Sequence, residues 1–115
     1  MDVYDHLYLS HKGLNKMGTL MFRFNKVFGN CNFTGNNLTD WSMFPFYIKG
    51  NCYANFNNIK NFDGAPIIDG RLIASKQNKK TQYPLTDENY RKFRDNGKVD
   101  ENAVYIKSVD KFGSL

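Results

Sequence analysis

The chain has few of the residues that cross-link a small protein or anchor it in a membrane. Its 115 residues include two cysteines, which are too few for a disulfide framework. No stretch approaches the run of about 18 apolar residues that a membrane-spanning helix needs. The first residues lack the basic region and apolar run of a secretory signal. We therefore expect a single cytoplasmic unit without membrane contact.

Side chains that perform catalysis are also scarce. The two histidines are His6 and His11, and no glycine-rich phosphate loop is present in the sequence. A Cys–His nucleophile pair needs an exposed thiol beside a base, whereas the pattern described below places Cys31 and Cys52 in the core. A zinc site made of these four residues would have ligand spacings that match no familiar site. The sequence predicts that the protein is not an enzyme and binds no cofactor or metal.

Positive charge is concentrated in one part of the chain. The net charge is +5 and the pI is about 9.2. Residues 71–98 hold eight basic side chains against three acidic ones. Such a region attracts nucleic acid or an acidic protein, or it is an ordinary solvated surface. The candidates for contact with nucleic acid are Arg71, Lys76, Lys79, Lys80, Arg91 and Arg94.

A repeat runs along most of the chain. Four segments, here called rungs 1 to 4, begin at Val3, Val27, Ile48 and Ile68 and are spaced by 24, 21 and 20 residues. When the rungs are aligned, apolar residues share the same positions, except that rung 4 breaks the pattern near its end. The apolar positions are Leu7, Cys31, Cys52 and Leu72, then Leu9, Phe33, Ala54 and Ala74, then Leu14, Leu38 and Ile59 (Lys79 in rung 4), then Met17, Trp41 and Phe62 (Gln82 in rung 4).

This pattern predicts a stack of parallel strands. Residues two apart, such as Cys31 and Phe33, point to one face of a strand, and one short segment cannot bury that face without a neighbour on top of it. An amide position also repeats, at Asn36, Asn57 and Gln77. A buried amide can bond to backbone groups of a turn, so we expect these side chains to form a ladder from rung to rung.

The repeat resembles the core of a leucine-rich repeat. The likeness covers residues 3–82 and is clearest in rungs 2 and 3. These two rungs carry Gly-Asn-Cys from their third residue and resemble a Cys- and Asn-rich variety found in bacteriophage and bacterial proteins. That resemblance implies a solenoid fold, a binding role, and for a phage protein the cytoplasm of a bacterial host cell. The residues that match are Cys31, Phe33, Asn36 and Leu38 in rung 2, and Cys52, Ala54, Asn57 and Ile59 in rung 3.

The predicted fold is a leucine-rich-repeat solenoid, β-rich and of the α/β class, with about four rungs that form a small parallel sheet. The stack occupies residues 1–84, and residues 85–115 form a C-terminal cap within the same folding unit. In the cap we expect a helix with Thr86 as its N-cap and Gly97 as its stop signal, followed by a short strand at 103–107. Tyr90 and Phe93 are three residues apart and face the stack.

The outward positions of the sheet are the predicted binding surface. They combine amides with protruding aromatic residues, and tyrosine and arginine dominate binding hot spots; these aromatics also suit strands for purely structural reasons. The resemblance implies a protein-interaction module that binds a host protein or defence complex, as a phage-encoded inhibitor or regulator. The predicted binding residues are Tyr8, Asn32, Asn51, Tyr53, Asn55, Phe56, Arg71, Ile73 and Lys76.

Two alternatives stay open at this point. The basic region 71–98 would serve a nucleic-acid-binding protein, with backbone contacts and base stacking. Separately, only two residues precede rung 1 at Val3, so its edge strand is predicted to lack a cap. An uncovered edge strand invites pairing with another chain, and self-association through rung 1 is therefore a further expectation.

Overall fold

The computed structural model describes residues 1–14 and 23–99. This part of the chain contains short parallel strands and a helix, α1, which spans Asp87–Asn96. The strands in chain order are β1 (Leu7–Tyr8), β2 (Lys26–Val27), β3 (Cys31–Asn32), β4 (Tyr47–Ile48), β5 (Cys52–Tyr53), β6 (Ile67–Ile68) and β7 (Leu72–Ile73).

The strands form two parallel sheets that run side by side along the stack. One sheet has the order β1-β3-β5-β7 and the other has the order β2-β4-β6. A parallel bridge between Val3 and Val27 carries the second sheet into rung 1. The described chain therefore has a solenoid-like α/β fold. The prediction of a single sheet was incomplete, because rungs 2, 3 and 4 each bend at a corner and contribute a strand on both sides of it.

Glycine stands at that corner in rungs 2, 3 and 4, because the backbones of neighbouring rungs touch there. The Gly50 N–H donates to the Gly29 carbonyl oxygen at 3.0 Å, and the Gly70 N–H donates to that of Gly50 at 3.1 Å. A Cβ atom on Gly50 would lie 2.6 Å from the Gly29 oxygen. A side chain at this position would push the rungs apart, so the corner needs glycine for close approach.

The register of both sheets confirms the aligned positions of the repeat. In the four-stranded sheet, Leu7 pairs with Cys31, Cys31 with Cys52, and Cys52 with Leu72. In the three-stranded sheet, Val27 pairs with Ile48 and Ile48 with Ile68. Because the same column of each rung faces inward, the stack buries one continuous core.

Aromatic rings fill the core on the side away from the strands. Trp41 packs on Phe44 and Phe62, with ring centroids 4.8 and 6.5 Å apart. In rung 4 this column continues with Tyr83, whose ring lies 5.3 Å from that of Phe62. Gln82, which the alignment placed in this column, is exposed. The register shifts by one residue because only the apolar ring is stabilised by burial against Phe62.

The predicted amide ladder is present and joins the rungs through the core. Asn57 Oδ1 accepts hydrogen bonds from the backbone N–H groups of Asn36 and Leu38, both at 3.0 Å. Asn57 Nδ2 donates to the carbonyl oxygens of Phe33 and Ala54 at 3.1 and 3.0 Å. Each buried amide thus satisfies backbone groups of its own rung and of the rung before it, which a buried turn requires.

Helix α1 closes the stack after rung 4, as the sequence predicts. The Thr86 hydroxyl oxygen accepts a bond from the Asn89 N–H at 3.2 Å, and Gly97 ends the helix with φ 75°. Tyr90 is buried and Phe93 packs partly against the core. The predicted strand at 103–107 lies outside the described residues. Among those residues, no helix is long and apolar enough to cross a membrane.

Candidate binding surface

The outward side chains of the four-stranded sheet form one continuous surface, here called the outer face. Strand alternation and register bring together the residues predicted for binding. Tyr8, Phe56, Arg71 and Lys76 are exposed, whereas the other predicted residues are half-buried by their neighbours. The columns of the outer face are His6, Asn30, Asn51 and Arg71, then Tyr8, Asn32, Tyr53 and Ile73, then Ser10, Thr34, Asn55 and Ser75, with Phe56 and Lys76 beside them.

An apolar line crosses the middle of the outer face. Tyr53 and Ile73 are register partners in rungs 3 and 4, and Tyr8 and Asn32 are register partners in rungs 1 and 2. Tyr8 retains 59% of its side-chain exposure. Neighbouring strands lie about 4.8 Å apart, so these side chains form a ridge, interrupted by the polar Asn32, in which Tyr8 is exposed and the others are half-buried.

The first column of the outer face is a second amide ladder, which sequence analysis did not predict. The Asn51 N–H donates to Asn30 Oδ1 at 2.8 Å, and the Arg71 N–H donates to Asn51 Oδ1 at 2.9 Å. In rung 1 a histidine takes the place of the amide, because the Asn30 N–H donates to His6 Nδ1 at 2.8 Å. The ladder locks adjacent rungs together at the surface, and it gives Asn51 a structural role as well as an outward position.

The remaining predicted asparagines also bond to the backbone, Asn55 to the next rung and Asn32 within its own rung. Asn55 Oδ1 accepts from the Lys76 N–H at 3.1 Å, and Asn32 Oδ1 accepts from the Thr34 N–H at 3.0 Å. Their amide oxygens therefore already hold the scaffold. The groups that protrude from this frame are aromatic rings, an isoleucine and basic side chains, and these define the chemistry of the surface.

Phe56 holds its place on the outer face through an uncommon backbone conformation. Its φ is 57°, in the left-handed region, and the equivalent residues His11 and Gly35 have φ 54° and 74°. A bulky residue in this region costs of order 1–3 kcal/mol and is a reason to look for function. Phe56 is 48% exposed, so its side chain is only partly buried.

A second exposed surface lies around the corner, on the three-stranded sheet, and sequence analysis missed it. Tyr4 stacks on Phe28 with ring centroids 5.2 Å apart, and Phe28 meets Tyr47 edge-on at 6.3 Å. The Arg23 guanidinium lies 3.7 Å above the centre of the Phe46 ring. The signal for this surface was available, because Tyr4, Phe28 and Tyr47 each adjoin the β-branched residue that begins rung 1, 2 or 3.

Charged groups at the edge of this second surface form a small network. The Tyr47 hydroxyl donates to Asp69 Oδ2 at 2.6 Å, and Arg94 Nη2 lies 3.5 Å from Asp69 Oδ1. The hydrogen bond from Tyr47, followed by the Arg94 charge, lowers the pKa of Asp69. The same hydrogen bond raises the pKa of Tyr47.

The basic residues predicted for nucleic acid separate into two groups. Arg71, Lys76, Lys79 and Lys80 are exposed. The other two are engaged with rung 4, because Arg91 Nη1 and Arg94 Nη1 each donate to the Ile68 carbonyl oxygen at 2.7 Å. Arg91 Nη2 also donates to the Gly70 carbonyl oxygen. The structure thus assigns these two guanidinium groups to the backbone of the last rung.

The two cysteines lie in the core, as predicted. Cys31 and Cys52 are register partners, free and fully buried. Burial raises the pKa of the Cys31 thiol to about 12 and raises that of Cys52 well above its ordinary value. His6 and His11 are exposed on the other side of the sheet, so the four candidate zinc ligands are not brought together. No group of three or more potential metal ligands occurs in residues 1–14 and 23–99.

The chain matches no protein-family model, no curated protein and no solved structure. Its function is therefore inferred from the chemistry of its own surfaces. Of these, the outer face extends over all four rungs and combines protruding apolar groups with basic side chains.

Proposed function

We propose that the protein is a small protein-interaction module, a solenoid of the leucine-rich-repeat type that binds a protein partner on its outer face. One observation supports this most strongly. Tyr8 and Phe56 are exposed, and Tyr53 and Ile73 are half-buried, on a surface whose amide oxygens already hold the backbone. Exposed aromatics on a fixed frame are the anchors that dominate protein interfaces.

The backbone scaffold beneath the outer face favours binding, because little of it has to become ordered when a partner binds. The inner ladder through Asn57 and the outer ladder through Asn51 each tie neighbouring rungs by side-chain to backbone bonds. Association costs about 0.5–1.5 kcal/mol for each flexible side chain that it immobilises. Tyrosine and isoleucine projecting from a preorganised sheet lose little freedom, so more of the contact energy appears as affinity.

The charge around the ridge favours an acidic partner. Arg71 and Lys76 are exposed at the rung 4 end of the outer face, and the whole chain carries a net charge of +5. Complementary charge at the rim of an interface mainly speeds association and selects the partner. The preferred target is therefore a protein with an acidic surface around an apolar contact.

The identity of that target is a hypothesis drawn from the family resemblance. A Cys- and Asn-rich repeat of the phage and bacterial kind implies a host protein or defence complex in the bacterial cytoplasm, with this chain as its inhibitor or regulator. No catalytic step is part of this proposal, because binding alone blocks or redirects a target.

The test compares two matched double variants in affinity capture from host-cell lysate. The first is Tyr53→Ala with Ile73→Ala, which removes register partners from the outer face. The control is Tyr47→Ala with Ile67→Ala, which removes register partners of the same residue types from the three-stranded sheet. Both variants are first checked for cooperative thermal unfolding, and captures are run with and without nuclease.

We expect the wild type and the control to retain a stoichiometric protein that survives nuclease, and the outer-face variant to lose it by at least tenfold. Equal capture by both variants would remove the outer face as the site. Recovery of nucleic acid, with an affinity that falls steeply as salt rises, would instead assign function to Arg71, Lys76, Lys79 and Lys80.

A further inference from the structure

The two ends of the stack differ in what covers them. At the rung 4 end, side chains of α1 bond to the backbone and close the stack. The Ile68 N–H donates to the Tyr90 hydroxyl oxygen at 2.9 Å, and this hydroxyl donates to the Pro66 carbonyl oxygen at 2.5 Å. The Leu72 N–H donates to Asp87 Oδ1 at 2.9 Å. These bonds occupy outward backbone groups of the last rung, which leaves less of this edge for another strand to pair with.

The rung 1 end has no such cover in the described part of the chain. The N–H groups of Leu7, Leu9 and His11 donate to rung 2 carbonyl oxygens at 2.9, 2.8 and 2.8 Å. Since successive residues of a strand point their backbone groups to opposite sides, the groups of Tyr8 and Ser10 point away from the stack. Within residues 1–14 and 23–99, rung 1 therefore presents an open strand edge.

Side chains at this end are also less covered than their equivalents deeper in the stack. Leu7 and Leu9 are only partly buried, whereas the equivalent Cys31 and Phe33 have no exposed surface. Tyr8 on the outer face keeps 59% exposure. A further strand beside rung 1 would complete the core and the sheet together.

We propose that the strand is supplied by a second copy of this chain, paired antiparallel to rung 1 across a two-fold axis at Tyr8. In this register, the residue numbers of any two residues that face each other across the interface add up to 16. Tyr8 then faces Tyr8 of the other copy and exchanges two backbone hydrogen bonds with it, and His6 does the same with Ser10. The straight segment between the corner at Asp5 and the left-handed turn at His11 is centred on Tyr8, so this register uses all of it.

The side chains of rung 1 are self-complementary in this register. On the inner side, Leu7 lies opposite Leu9 of the other copy, which joins the two cores by apolar contacts. On the outer side, the Tyr8 rings form a cross-strand aromatic pair. An antiparallel partner contributes the same two contacts in both directions, as an isologous two-fold interface requires.

The charge along rung 1 also favours an antiparallel copy. Asp2 and Asp5 precede the strand, whereas His11 and Lys12 follow it. The two-fold arrangement places Asp5 opposite His11 and next to Lys12 of the other copy, so each acidic end meets a basic end. A parallel copy would place the acids side by side, which is unfavourable.

The closed rung 4 end limits assembly to a dimer. A head-to-tail contact would need a free edge on rung 4, where Tyr90 and Asp87 already bind the backbone. Pairing through rung 1 joins two four-stranded sheets into one sheet of eight strands. It also places two outer faces on one particle, although the dimer does not depend on what those faces bind.

The first test is sedimentation velocity over a range of concentrations. Tyr8→Pro removes an outward N–H that bonds to none of the described residues, and proline is tolerated on a sheet edge. We expect the wild type and the control Tyr8→Phe to sediment as dimers, and Tyr8→Pro to sediment as a folded monomer with at least a hundredfold weaker self-association. A monomeric wild type at all concentrations would overturn the proposal.

The second test fixes the register by cross-linking and does not require a proline to be tolerated. Opposite residues in a hydrogen-bonded pair have Cα atoms about 5.5 Å apart, within the range for a disulfide. Under mild oxidation, Tyr8→Cys should form a covalent dimer at least tenfold faster than Tyr53→Cys, which lies in the same column two rungs away. Equal rates for the two variants would refute pairing at Tyr8.

Discussion

Asn57 lies one rung along from Asn36, and its Oδ1 accepts the Asn36 backbone N–H at 3.0 Å. The Asn57 side chain makes four hydrogen bonds to backbone groups at 3.0 or 3.1 Å. We expect Asn57→Ala to lower the free energy of unfolding by about 4 kcal/mol, at about 1 kcal/mol for each bond lost. Urea denaturation measures this change.

The matched control for that variant is Asn78→Ala. Asn78 is exposed, and its side chain makes one bond, to Asn37 Oδ1 at 3.2 Å. Its removal should change stability by less than about 0.5 kcal/mol. If the two variants were equally stable, the inner ladder would not hold the rungs together.

The hydroxyl group of Tyr90 is predicted to stabilise the join between helix and stack. Tyr90→Phe keeps the buried ring but leaves the Ile68 N–H and the Pro66 carbonyl oxygen without this partner. A buried group that loses its partner costs about 1–3 kcal/mol, so the melting temperature should fall by several degrees, in one transition. Tyr53→Phe, which removes a hydroxyl group from the outer face, should melt within a degree or so of the wild type.

The native thiols should be inert. With a pKa of about 12, the Cys31 thiol is ionised at pH 8 in roughly one molecule in ten thousand, and burial also blocks access by reagent. We expect an aromatic disulfide reagent to leave both cysteines untouched in folded protein and to react with both in denaturant. Lys79→Cys provides the positive control, since residue 79 is exposed. Rapid labelling of folded wild type would contradict the buried assignment.

Glycine is needed at the corner and in the turns for different reasons. Substitution by asparagine at Gly50 and at Gly64 distinguishes the two reasons. Gly50→Asn would drive a Cβ atom to 2.6 Å from the Gly29 oxygen, which we expect to cost about 3 kcal/mol because backbone cannot move aside cheaply. Gly64 has φ 80° with open space around it, and asparagine tolerates that conformation. Gly64→Asn should therefore leave the denaturation midpoint nearly unchanged, and a larger loss at Gly64 than at Gly50 would contradict this account.

Much of the fold follows from the sequence, because residues that make the same interaction recur at equivalent positions of several rungs. The apolar columns, the amides at Asn36 and Asn57, and the helix between Thr86 and Gly97 each have a residue pattern of their own. The outward positions of the four-stranded sheet follow from the same alignment, because strand alternation is a local rule.

Only the tertiary structure determined the contacts that occur once in the chain or that depend on the bend of each rung. The corner makes a second sheet, and the aromatic surface through Tyr4 and Phe28 exists only because of it. The Asn51 side chain faces outward as predicted, yet its oxygen holds the next rung. Likewise Arg91 is a basic residue by sequence, but α1 places it against the carbonyl oxygens of rung 4. The physical reason is that a contact between the cap and the last rung has no second copy in the sequence, so only the folded chain determines it.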